Sequence, residues 1–222
     1  EITYLRRMQR LLLASSAAEL HSRPNPDRNL IQGGIPSLAS MTNLIELDVS
    51  HNEITNLPSD LYRNTDLRLL AATHNQLRGL PQFFHRLVNL HTIELNDNQI
   101  AAEFPASIGQ LVELRMVIFR NNLLSGTLPP DMKRLSEMRV FDVMNNRGLR
   151  GTFPTEVVPS WPKVEYVSTF GTSLTGYVPS LCYEVVQCFK YMFDTHPDLT
   201  WAVEGEIPDI VNRTVELAKT AR

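Results

Sequence analysis

Two cysteines among 222 residues cannot supply the disulfide framework that holds many small secreted folds together. No apolar run approaches the length of a membrane span, so no part of this sequence reads as a transmembrane helix. A surplus of positive charge is missing as well. With 21 Lys and Arg against 24 Asp and Glu, the formal net charge is -3, which makes nucleic acid and anionic membranes poor default partners. There is no glycine-rich phosphate loop, no HExxH pair and no zinc-type cysteine spacing, and no catalytic constellation assembles. The expectation is a protein without enzymatic activity or cofactor. At 43% hydrophobic and 20% charged residues, the composition is that of a folded globular protein.

What the sequence has in abundance is one recurring unit. The stretch from Leu114 to Pro129 places Leu114, Val117, Phe119, Asn122, Leu124, Gly126, Leu128 and Pro129 in order, and near-copies of it cover most of the chain. Alternation from Val117 to Phe119 suits a short strand, and the Asn122 amide then sits where the backbone must turn. Full units start at Leu44, Leu67, Leu90, Leu114, Met138, Val164 and Cys188, at intervals of 23, 23, 24, 24, 26 and 24 residues. Each then reaches an apolar residue followed by proline, as in Leu57-Pro58, Leu80-Pro81, Phe104-Pro105, Leu128-Pro129, Phe153-Pro154 and Val178-Pro179. Asn29 to Pro36 matches only the second half of the unit, so the array is expected to start there. One copy cannot bury its apolar residues alone, so the copies must stack into one elongated body.

These units resemble leucine-rich repeats, whose pattern is LxxLxLxxNxL. The resemblance covers Asn29 to Pro179, 151 of the 222 residues. LSGTLP, LRGTFP and LTGYVP are similar to the 24-residue plant-type class, and the first two full units to the 23-residue class found inside cells. The resemblance implies an α/β repeat solenoid: a curved right-handed superhelix with parallel strands on the concave face and 3₁₀ or irregular segments on the convex face. It also implies protein binding. Stacking alone predicts that Asn52, Asn75, Asn98, Asn122 and Asn146 form a structural column whose amides pair with backbone groups. Thr172 interrupts that column, and the 26-residue interval before it, with Pro159, Trp161 and Pro162, predicts a looser turn.

The domain reading has three parts. Residues 1–28 form an amphipathic helix, carrying Arg6, Arg7 and Arg10 beside Leu11 to Leu13, and a linker with Pro24 and Pro26. Residues 29–208 are the array of about seven repeats, and 209–222 a capping helix with Asp209 in its first turn. Cys182 and Cys188 fall at inward positions, where either buried thiols or a disulfide fits.

Two groups of residues are candidates for function. On the strands, the outward residues change from acidic and polar at the start (Glu46, Asp48, Glu94) to apolar beyond. Met116, Ile118, Arg120, Val140, Met144, Tyr166, Phe170 and Met192 are expected to expose several hundred Å² of binding surface for a protein partner, an order of magnitude set by ordinary surface patches. Alternatives are that the chain's own terminal segments cover this patch, or that it belongs to the core. The second group is His51, His74 and Asp97, which occupy the position before asparagine in three successive units. They make a weak metal candidate, with a solvated rim the simpler reading. An interaction module or structural subunit of a larger protein assembly inside the cell is the favoured reading of these features, and the ectodomain of a plant-type cell-surface receptor is the alternative; the lone sequon Asn212-Arg213-Thr214 belongs with the second.

Overall fold

The computed structural model describes residues 8–14, 31–81, 83–154 and 156–175. The strands in chain order are β1 (Arg10–Leu12), β2 (Gln32–Gly34), β3 (Glu46–Asp48), β4 (Glu53–Asn56), β5 (Leu69–Ala71) and β6 (Thr92–Glu94). They continue as β7 (Met116–Ile118), β8 (Ser125–Gly126), β9 (Val140–Asp142), β10 (Gly148–Thr152), β11 (Tyr166–Ser168) and β12 (Ser173–Thr175). Seven of them form one parallel sheet in the order β1-β3-β5-β6-β7-β9-β11.

The expected solenoid is therefore present. Leu47, Leu70, Ile93, Val117 and Phe141 stand at the middle of successive strands, pair in register and are buried. Their two neighbours on each strand point to the other face, because side chains alternate along an extended chain. Opposite the sheet, 3₁₀ turns at Leu61–Arg63, Phe84–Arg86, Ala106–Gln110, Pro130–Arg134 and Val158–Ser160 close the units. Proline begins several of them, where its fixed φ suits a turn and its missing N–H costs no bond: the N–H groups of Leu61, Ile108 and Met132 donate to the carbonyls of Pro58, Pro105 and Pro129 at 3.1 Å. Between strand and turn, β8, β10 and β12 make a second, smaller parallel sheet, and β2 pairs with β4.

The asparagine column works as the spacing requires. Asn122 Nδ2 donates to the carbonyls of Leu95 at 2.9 Å and Phe119 at 3.0 Å, while its Oδ1 accepts from Ile100 N–H at 3.0 Å. Asn52, Asn75, Asn98 and Asn146 repeat this pattern. These are carbonyls and amides of the bend that no strand ladder satisfies, and leaving them unpaired in the core would be costly. At Thr172 the side chain is too short to reach the previous unit. Its Oγ1 bonds the Thr169 carbonyl at 2.6 Å, and Leu149 N–H turns instead to the carbonyl of Asn146 at 3.0 Å. The long interval is thus absorbed partly at Arg147 and Gly148. Trp161 does not loosen the turn: its ring is buried 5.5 Å from Phe141, and its indole N–H donates to the Met132 carbonyl at 2.9 Å.

One expectation is corrected. Arg10 to Leu12, assigned from sequence to an amphipathic helix, is a strand pairing with Glu46 to Asp48. Leu11 aligns with Leu47 and packs against the core, so Met8, Leu11 and Leu13 supply the half-unit that the sequence reading found missing before Asn29. The array therefore begins earlier than Asn29. The physical reason is satisfaction of β3: its backbone and Asn52 Nδ2, which donates to the Leu13 carbonyl at 2.9 Å, need a preceding strand. An insertion hides the match, since Met8 and Leu44 are 36 positions apart rather than 23. The rest of the expected helix, the Pro24–Pro26 linker, Cys182, Cys188, Met192 and the closing helix lie outside the described residues.

Candidate functional site

The outward residues of the seven-stranded sheet form columns across the array. The first runs Arg10, Glu46, Leu69, Thr92, Met116, Val140 and Tyr166, and the second Leu12, Asp48, Ala71, Glu94, Ile118, Asp142 and Ser168. Just past the strand ends, Ser50, Thr73, Asn96, Arg120, Met144 and Phe170 hold equivalent places. At the acidic end Arg10 Nε and Glu46 Oε2 form an ion pair of 2.5 Å. Burial raises the Glu94 carboxyl above its ordinary range, and the nearby Asp48 charge adds to this.

At the apolar end Ile118, Val140 and Tyr166 pack into a cluster of their own, with Met116 half-buried against it. This corrects the expected surface: Ile118, Arg120, Val140, Met144 and Tyr166, read from sequence as displayed, are all buried. The register behind that reading is right, but strands about 4.8 Å apart bring large side chains on a concave face into mutual contact, so they cover one another. Phe170 remains open, 62% exposed.

Two charges sit inside this apolar zone. Asp142, on the strand between Ile118 and Ser168, is buried, and desolvation pushes its pKa up to about 6 against the opposing pull of the Met144 N–H and the Arg120 charge. Its Oδ1 accepts from Met144 N–H at 3.0 Å. Arg120 is 6% exposed, and its Nε has no hydrogen-bond partner among the described residues. Sequence reasoning left Asp142 out of the candidate set, although one acid among apolar outward residues was the available signal.

His51, His74 and Asp97 come together on the rim, in a line. Their φ angles are 57°, 49° and 57°, and Asn121 and Asn145 continue the column at 54° and 56°. Short polar side chains and histidine tolerate this left-handed bend better than branched or bulky ones. The two imidazoles stack with centroids 4.6 Å apart, and His74 Nε2 lies 3.5 Å from Asp97 Oδ2. Asp97 accepts amide hydrogens from Asn121 and Asn96, each at 2.6 Å, and Asn145 donates to Asn121 at 2.8 Å. The side chains thus form a ladder along the array and do not converge on a point. Among the described residues no group of three or more His, Cys, Asp or Glu is placed to hold a metal ion, so the weak metal candidate is set aside. On the opposite rim, Gln9, Asn43, Ile45, Asp66, Arg68 and Asn89 line a polar cavity of about 300 Å³.

The family model described as Leucine Rich Repeat matches residues 43–64. No curated protein matches the chain in sequence. Among solved structures, the ectodomain of the plant membrane receptor kinase GASSHO1/SCHENGEN3 from Arabidopsis thaliana, in complex with CASPARIAN STRIP INTEGRITY FACTOR 2, is 27% identical with a TM-score of 0.63, over 69% of this chain and 19% of that one. The Arabidopsis receptor kinase HAESA, in complex with the peptide hormone IDA and the co-receptor SERK1, is 25% identical with a TM-score of 0.63, over 70% of this chain and 27% of that one. A leucine-rich-repeat protein of Leptospira interrogans, 23% identical with a TM-score of 0.55 over 66% of this chain and 36% of that one, shares the fold. The chain spans 19% to 36% of the length of these three structures.

Proposed function

The chain is a leucine-rich-repeat protein, and from that premise we propose that it is a non-enzymatic interaction module whose concave sheet face binds a protein or peptide partner. The observation that carries this reading is the graded face itself: acidic residues on β3 and β6, then a packed apolar cluster on β7, β9 and β11 with Arg120 and Asp142 inside it and Phe170 open at its side. A rigid parallel sheet holds these groups in place before binding, so a partner orders little on docking. Apolar contact at Met116 and Phe170 supplies affinity, and the charged zones supply orientation. The Arabidopsis neighbours, one in complex with CASPARIAN STRIP INTEGRITY FACTOR 2 and one with the peptide hormone IDA and the co-receptor SERK1, support the binding of a protein or peptide partner.

A photo-crosslinking amino acid at Phe170, and in a second variant at the equally exposed Leu123 beyond the strand, tests it in extract of the native host. A discrete crosslinked partner at position 170 and not at 123 is the expected outcome; crosslinks at 123 alone would move the site off the concave face. A second reading, the ectodomain of a plant-type receptor, is favoured by the identity of those neighbours. A glycan on Asn212 and two disulfide-bonded cysteines in protein from the native host would support it, and two free thiols without glycan would oppose it.

A further inference from the structure

The convex side carries a surface that the concave site does not use. The 3₁₀ turns Leu61–Arg63 and Phe84–Arg86 lie side by side in successive units. Phe83, at the start of the second turn, stands edge-on to Tyr62 with ring centroids 5.7 Å apart. The Arg86 guanidinium lies 5.4 Å from the Tyr62 centroid and 5.6 Å from that of Phe83, and Arg63 lies 5.8 Å from Tyr62. Together the four side chains alternate ring and cation across two turns.

Three features mark this cluster as something other than packing. Phe83 is 52% exposed, so its ring contributes little to the core. It also has φ +53°, a left-handed bend that a bulky side chain adopts only at a cost. Neither Arg63 nor Arg86 has an ion-pair partner among the described residues, although the protein as a whole carries net negative charge. A guanidinium stacked on a ring keeps its in-plane N–H donors at the edge, where they can pair with a carboxylate in two-pronged fashion. The surface therefore presents apolar ring faces flanked by unneutralised donors, and its complement is a segment that alternates carboxylates with aromatic rings.

We propose that Tyr62, Arg63, Phe83 and Arg86 form a convex docking surface for an acidic, aromatic-bearing segment of a partner protein. It is independent of the concave site, so one array can hold two partners at once.

Fluorescence anisotropy on the full chain tests this, with a short labelled peptide of alternating glutamate and tyrosine as the probe. Wild type binds it, and the affinity falls as salt rises. Arg63→Glu with Arg86→Glu weakens binding by about tenfold or more, and Phe83→Ala by roughly three- to tenfold. Phe170→Glu, on the concave side, leaves it unchanged, which separates this surface from the concave reading. All four substituted side chains lie at the surface, and circular dichroism verifies that each variant is folded. The proposal is overturned if wild type fails to bind, if the double charge reversal binds like wild type, or if a lysine–tyrosine peptide binds equally well. Binding to phosphatidylserine vesicles with no peptide binding overturns it in favour of a lipid surface.

Discussion

Asn122 shows what a single side chain contributes to this protein. Its amide holds the carbonyls of Leu95, Phe119 and Arg120 and the N–H of Ile100, all within the core. Asn122→Ala leaves those groups unpaired, and urea unfolding is expected to register a loss of about 2–5 kcal/mol. Gly171 ends the rim ladder for a steric reason: it has φ +71°, and a Cβ there would overlap the Asn145 amide oxygen. Gly171→Ala should cost roughly 1–3 kcal/mol in the same measurement, where Gly79→Ala, with open space around it, should cost little. Asp142 predicts a pH effect whose sign follows from its raised pKa of about 6. Between about pH 4 and pH 6 the folded chain keeps a proton there that the unfolded chain has released, so this residue's contribution to stability falls as pH rises through the window. Asp142→Asn removes that slope, and its stability relative to wild type should improve by about 2–3 kcal/mol from pH 4 to pH 7. A parallel pH dependence in both proteins would show that Asp142 does not titrate there.

At the scale of the element, the convex turns Ala106–Gln110 and Pro130–Arg134 pack in close contact. Gly109, in the turn Ala106–Gln110, sits where a Cβ would collide with the Asp131 backbone of the next turn. Backbone cannot rotate aside as a side-chain tip can, so Gly109→Ala should lower the thermal midpoint by several degrees, about what a loss of 1–2 kcal/mol produces. The strands were legible in the sequence because Leu114, Val117 and Phe119 recur at fixed intervals, and so was the asparagine column. The β1 strand was not, since Arg6, Arg7 and Arg10 beside apolar residues fit a helical face equally well. Three residues seldom carry enough periodicity to choose between helix and strand; the vacant hydrogen-bonding edge of β3 made that choice.

For the whole molecule, the repeat architecture makes stability a sum of each unit's own energy and its contacts with its two neighbours. Damage should therefore stay local. Leu11→Asp puts a charge where Leu11 packs against the core beside Leu47. Amide hydrogen exchange is expected to accelerate strongly at Leu13, Ile45 and Glu46, whose N–H groups donate across the β1–β3 edge, and far less at Phe119 and Asn121, which bond into β9 and the bend after it. Equal acceleration at both places would mean that the array unfolds as one cooperative unit. The same one-dimensional plan separates the two proposed surfaces, since the concave columns and the convex turns are opposite walls of each unit.

From the sequence alone came the repeat, its parallel strands, the inward leucines and the structural role of the asparagines, because each follows from a residue type recurring at a spacing that local geometry can use. The composition of the concave columns was equally legible, since alternation along a strand assigns every side chain to a face. Tertiary structure decided how much of that face is displayed. Ile118, Val140 and Tyr166 meet only because adjacent strands set them side by side on a concave surface, and Asp142 acquires its high pKa from its burial on that same face, with the Asp97 charge adding to it. The ring–arginine cluster at Tyr62 and Phe83 likewise spans two turns that are neighbours in space and about twenty residues apart in sequence, a distance no local pattern can read.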